Sequence, residues 1–199
     1  MSNYSNPYFA SETSLPTGPG ARPQAQSGFD SNGANSIDGD ASTNASETLA
    51  STAASGYFTF SDWEGTDIPS DLKITGVSLH IKANYIAIFN ATKLIDFECS
   101  VSGTGGTFKS VTSASVSSHN LLATARYYVV GHDKELWNHN WRGFTDLSDL
   151  AFRFKCDQQN DLHTTSVTGV WDVYAQIYLR KPSIKMTSGK VKLTTGKII

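Results

Sequence analysis

Long apolar runs are missing from this sequence. No stretch approaches the roughly 18 apolar residues that a membrane-spanning helix needs, so none is expected. The opening residues, Met1 to Phe9, hold no basic group and no apolar block, and they are not read as a secretory signal. The sequons at Asn44 and Asn90 are therefore expected to be silent. Cysteine is scarce. Cys99 and Cys156 fit no zinc spacing, and both fall on apolar faces of predicted strands. Buried free thiols are the expectation, with a disulfide as the alternative. Charge is scarce too, at 17% of residues with a formal net charge of −2. That excludes the strongly basic face of a general nucleic-acid binder. Hydrophobic residues make up 39%, low for a domain packed throughout, so part of the chain must lie outside a core.

Catalytic signatures are missing as well. The chain has no G-x-S-x-G, no H-E-x-x-H, no phosphate-binding loop and no G-x-G-x-x-G. Its histidines, at 80, 119, 132, 139 and 163, have no neighbouring cysteine to complete a zinc set. Asp30, Asn32, Asp38 and Asp40 could offer oxygen ligands to calcium, but their spacing is not that of an EF-hand loop. No catalytic residue, no metal and no cofactor is expected.

What is present divides into three zones. Residues 1–56 are rich in Ser, Asn, Ala, Gly, Thr and Pro, with breaker clusters at TGPGARPQ and DSNGANSIDGD. They hold one base against five acids and show no apolar periodicity, which predicts an extended arm. Residues 57–180 alternate with period two. Leu79, Ile81, Ala83 and Tyr85 face one side, and Gly76 shifts the phase as a bulge would. Ile95, Phe97, Cys99 and Val101 alternate with polar positions, as do Leu150, Phe152, Phe154 and Cys156. A last strand sets Trp171, Val173, Ala175, Ile177 and Leu179 against Asp172, Tyr174, Gln176 and Tyr178. The segment TFKSVTSASVS is Ser/Thr-rich, and predicts an edge or exposed strand. Several such segments without a helical pattern predict an all-β, antiparallel β-sandwich, wound as a jelly roll or like an immunoglobulin.

Residues 181–199 hold five lysines and no acid. KMTSGKV is followed directly by KLTTGKI, a seven-residue unit repeated once. Met186, Lys190, Val191, Lys192, Leu193, Lys197 and Ile198 are the candidate partner-binding residues of this tail. Its apolar positions need a surface, and adding a strand to a neighbour would supply one.

The stretch KELWNHNWRGFTDL, from Lys134 to Leu147, carries two tryptophans within five residues, Trp137 to Trp141. Exposed, Trp137 and Trp141, with Trp63, would form a platform for stacking on sugars, or an interface hot spot. Buried, they would close one end of the sandwich, and that is the expectation.

Around this stretch lies an ordered set of motifs. Asp38-Gly39-Asp40-Ala41-Ser42-Thr43 precedes Tyr57-Phe58-Thr59-Phe60, and Ile74-Thr75-Gly76-Val77 follows. Gly131-His132-Asp133-Lys134-Glu135-Leu136-Trp137 leads to Trp141 and Asp146-Leu147. Ala151-Phe152-Arg153-Phe154 and Val170-Trp171-Asp172-Val173 close the set. This order resembles a domain recurrent in structural proteins of tailed bacteriophages, over roughly residues 38–180. Asn138 and Arg153 stand where that pattern has glycine. The resemblance implies a β-sandwich in a virion, without enzymatic activity. It marks Gly131, Asp133, Leu136, Trp137, Trp141, Asp146, Leu147 and Asp172 as structural motif residues.

The expected function is a structural component of the virion, assembled in the host cytoplasm. A head decoration (cement) protein or a collar or neck component fits best, fastened to neighbours by arm and tail. Capsid, portal, collar or tail proteins are the expected partners, and a homo-oligomer, by analogy a trimer, the expected state. Neither nucleic acid nor membrane is an expected partner. The alternative is a glycan- or receptor-binding module on a tail or surface fibre.

Overall fold

A computed structural model describes residues 9–11, 21–38, 42–50, 53–64, 68, 72–85, 92–112, 118–158 and 165–180. Among them the chain forms two sheets packed face to face, an all-β sandwich. The strands are β1 (Phe9–Ser11), β2 (Pro23–Ser27), β3 (Ala45–Ala50), β4 (Phe58–Trp63), β5 (Lys73–Tyr85) and β6 (Thr92–Ser100). They continue with β7 (Lys109–Ser110), β8 (Ser118–Asn120), β9 (Arg126–His132), β10 (Ala151–Gln158) and β11 (Thr165–Arg180). One sheet runs β1-β11-β5-β9, with β3 also on β11; the other runs β2-β4-β10-β6-β7, with β8 also on β6. All pairs are antiparallel except β1 with β11.

The core lies between the sheets because each strand turns one apolar row inward. Val77, Leu79, Ile81 and Ala83 of β5 and Val173, Ala175 and Ile177 of β11 come from the first sheet. Phe58, Phe60, Phe152, Phe154, Leu94 and Cys99 come from the second. Phenylalanine dominates that side, with Phe60 stacked on Phe154 at 5.5 Å and Phe58 edge-on to it at 5.6 Å.

Three local departures change which residues face inward. The register of β5 on β11 shifts at Thr75, beside Gly76, as the sequence predicts. In β6, Asp96 adopts φ 54°, and the ladder to β10 slips between Arg153 and Lys155. The bulge hands the inward place to Leu94 rather than Ile95. In β11 the register slips between Val170 and Asp172, so Val170 is the inward residue. Trp171 is left half-buried, donating its indole N–H to Asn84 Oδ1 at 2.7 Å.

Three described segments of the first 56 residues enter the sheets, where the composition predicts an extended arm. β2 lines β4, β3 lines β11, and β1 lies along the last residues of β11. Backbone ladder bonds hold such segments without any apolar pattern of their own. The residues of the tail, 181–199, lie outside the described part of the chain.

Cys99 and Cys156 are buried free thiols. Cys99 pairs with Phe152 and Cys156 with Leu94, at opposite ends of the β6–β10 ladder. At about 3.3 Å per residue they stand too far apart for a bond between them. Burial pushes both thiols up from their ordinary pKa.

Candidate functional site

The Trp-rich stretch closes one end of the sandwich. The last residue but one of β9 is Gly131, whose φ of +85° lies in the left-handed region. A Cβ here would lie 2.4 Å from the Val77 carbonyl oxygen and 3.2 Å from Trp137 Nε1. Glycine therefore leaves the slot into which the Trp137 indole folds back. The ring is fully buried, donates its N–H to Val77 O at 3.0 Å, and meets Phe152 edge-on at 5.1 Å.

The glycine of β5 serves the same corner. A Cβ on Gly76 would fall 2.2 Å from the carbonyl carbon of Asp133. The Ile-x-Gly-Val and Gly-x-Asp-x-x-Leu-Trp motifs, far apart in sequence, thus interlock backbone against backbone.

Glu135 fastens the turn between them, and nothing in its polar sequence surroundings marks it. Its backbone accepts from Val77 N at 2.9 Å and donates to His132 O at 3.0 Å. Its buried carboxylate accepts the Trp137 backbone N–H at 2.7 Å and the Thr112 hydroxyl. A buried carboxylate needs such donors, because desolvation without them would cost several kcal/mol, on the order of 2–7 even for a neutral polar group.

Trp137 and Asn138 then take two successive left-handed conformations, φ 50° and 56°. Position 138, where the resembled pattern has glycine, keeps glycine-like backbone here; Asn tolerates that region better than most residues. Asn138 is also anchored, its carbonyl accepting from Lys109 Nζ at 2.9 Å and its amide donating to Ser110 O at 3.3 Å. His139 Nε2 lies 2.7 Å from Cys99 O, so that nitrogen carries the proton and donates. Burial holds this imidazole below its ordinary pKa and keeps it neutral. Trp141 donates to Leu136 O at 2.8 Å and packs edge-on to Phe144. Asp146 caps a short 3-10 turn, accepting Ser148 N at 2.8 Å, and this sets Leu147 and Leu150 into the core.

Of the motif residues, Gly131, Asp133, Leu136, Trp137, Trp141, Asp146 and Leu147 gather at this end. Asp172 does not. It lies on the outer face of the first sheet, where its buried carboxylate pairs with Arg22 and accepts the Tyr127 hydroxyl at 2.6 Å. Burial and this acceptor hold the Tyr127 phenol well above its ordinary pKa. Arg22 is the sole base of the first 56 residues, a signal in the sequence that points to a buried partner. Arg153, the second departure from the resembled pattern, faces outward. Its guanidinium lies 4.0 Å from both the Tyr57 and Phe108 ring centroids and pairs with Glu98.

His80, expected on the solvent side of β5, is on the outer face but buried. It stacks on Tyr174 at 4.5 Å, and burial lowers its pKa to about 4. Ser78 Oγ lies 3.0 Å from His80 Nε2, a nucleophile–base distance, yet Ser78 is fully buried and offers a substrate no approach. Among the described residues no three His, Cys, Asp or Glu side chains group as metal ligands would. Of the proposed calcium ligands, Asp30 accepts Thr48 N and Asp38 accepts the Thr43 hydroxyl; Asp40 lies outside the described residues.

The rings that the alternative reading would use for sugar stacking are not open. Trp63 and Trp137 are buried and Trp141 is 7% exposed. Trp63 and Trp137 both abut Phe152 edge-on, so their faces belong to the core. No protein-family profile matches the chain, and no curated protein matches it.

Proposed function

We propose that this chain is a non-enzymatic structural protein of a tailed-phage virion, a head decoration or collar/neck component. The observation that supports it is the interlocked corner. The glycines and aromatic of the two motifs that carry the resemblance, Gly76 and Gly131 with Trp137, make one rigid end of the sandwich. A site built this way presents a shape rather than a reaction.

Fastening falls to the termini. The strands β1, β2 and β3 belong to the protein's own sheets, which leaves the Lys-rich tail as the main fastener. Its five lysines and alternating apolar residues suit strand addition on an acidic surface of a neighbouring virion protein. Deleting residues 183–199 is expected to abolish attachment to particles while the melting temperature of the sandwich stays within a few degrees of the full chain. Undiminished occupancy of the truncated protein on purified particles would refute the tail's role.

The second reading, a glycan- or receptor-binding module on a fibre, needs an exposed aromatic platform. The burial of Trp63, Trp137 and Trp141 speaks against it.

A further inference from the structure

Beside the tryptophan corner, between loop 136–145 and the start of β5, lies an open cleft of about 700 Å³. That volume falls within the usual range of ligand sites. Its floor is apolar, made by Ile68, Ile74, Trp141 and Phe144. Leu136 stands at its mouth, 37% exposed. The cause is local: the two left-handed residues that follow turn the Trp137 ring into the core and leave Leu136 outside. Lys73 and Arg142 are exposed at the rim, and neither has an ion-pair partner among the described residues. No described residue of the lining is acidic.

We propose that this cleft docks a peptide segment of a partner protein in which a large apolar side chain stands beside carboxylates. The apolar floor and Leu136 would gain from covering, and the two cations supply the complementary charge. A sugar suits the cleft less well, because its floor is apolar and several polar groups of its wall are already engaged. Asn140 Oδ1 accepts Arg142 N, Thr145 O accepts Ile68 N, and His139 bonds Cys99 O. Hydroxyls placed against the apolar floor or these engaged groups would lose water without finding partners. The loop is also held in place before any partner arrives, by Glu135, His139 and the indole bonds, which lowers the ordering cost of docking. The virion reading is not needed for this inference, since the test uses the isolated full chain rather than particles.

The test is to pan a displayed library of random dodecapeptides on the full chain. Parallel panning uses L136D and the double variant K73E/R142E, each checked by thermal melting to be folded. The wild-type protein is expected to enrich peptides with Leu, Ile or Phe adjacent to Asp or Glu, bound at least about tenfold more tightly than to L136D. Against K73E/R142E the selected charge should invert toward Lys and Arg. Enrichment that lacks an acidic bias, or that survives both variants, overturns the proposal. So does an L136D-sensitive dimer in sedimentation, which would make the occupant a second copy. Displacement of the selected peptides by dodecanoate at micromolar concentration would make the occupant an acyl chain and would overturn it as well.

Discussion

Gly131 does what no side chain could do at its position. Its left-handed φ and missing Cβ admit the Trp137 indole, and the bond from that indole to Val77 O ties loop to strand. Gly131→Ala therefore combines backbone strain with a clash, and is expected to cost about 3 kcal/mol or more. In a chain of this size that lowers the melting temperature by roughly 6–12 °C. Trp137→Phe keeps most of the packing and loses the bond, for about 1–2 kcal/mol. Equal effects of the two substitutions in chemical denaturation would contradict the slot. His80 gives a prediction in pH. Its imidazole takes a proton at about pH 4 when folded, against 6.5 as the ordinary value, because burial disfavours the charged ring. Between those values the unfolded chain binds more protons. The stabilisation is thus complete above pH 6.5 and lost as pH falls through 4, up to about 3 kcal/mol. His119 and His139 are shifted the same way, while burial raises Glu47 and acts with the opposite sign. The variant His80→Gln isolates the share of His80: its unfolding free energy, measured by urea titration from pH 4 to 7, should slope less than wild type. Identical slopes would contradict the burial of a neutral ring.

β11 is the element on which the rest is organised. One edge carries β5 along nearly its whole length. The other is shared by β3 at Thr165 to Val170, a bridge from Ala21 to Ala175, and β1 at Ile177 to Leu179. Arg22 follows Ala21 and reaches Asp172 on the same strand, so an ion pair reinforces a single backbone bridge. Arg22→Ala leaves the Asp172 carboxylate with the Tyr127 hydroxyl alone, which predicts a loss of about 2–4 kcal/mol. The double variant R22A/D172A should lose less than the two single losses summed, a non-additivity that denaturation of all four proteins would reveal. Simple additivity would show the pair to be idle. At this scale the sequence was legible where strands alternate, as in β5 and β10. It was not legible at Asp96 and Trp171, where bulges exchange the inward and outward rows, because a bulge is set by the partner strand as much as by local sequence. Nor was β3 legible: in ASETLA the inward row includes Glu47, whose carboxylate is buried as an acceptor for Asp30 N.

In the whole molecule, two sheets enclose one core, and the class of fold follows from period-two patterning in residues 57–180. The part of the first 56 residues that joins these sheets was hidden because small polar residues add to a sheet edge through their backbones, leaving no hydrophobic signature. The corner was readable as a cluster of Trp, Asn and Gly. Its workings were not, since the Gly76–Asp133 contact and the Glu135 tie depend on residues brought together only by the fold. The central claim is that this sandwich is a structural unit held among neighbours by its tail. The most direct measurement is limited proteolysis, read by mass spectrometry, of the free protein and of the same protein in purified particles. Cleavage within 181–199 in the free protein and its suppression in the particle is the predicted result. Equal cleavage in both states, or no association with particles at all, would contradict the account.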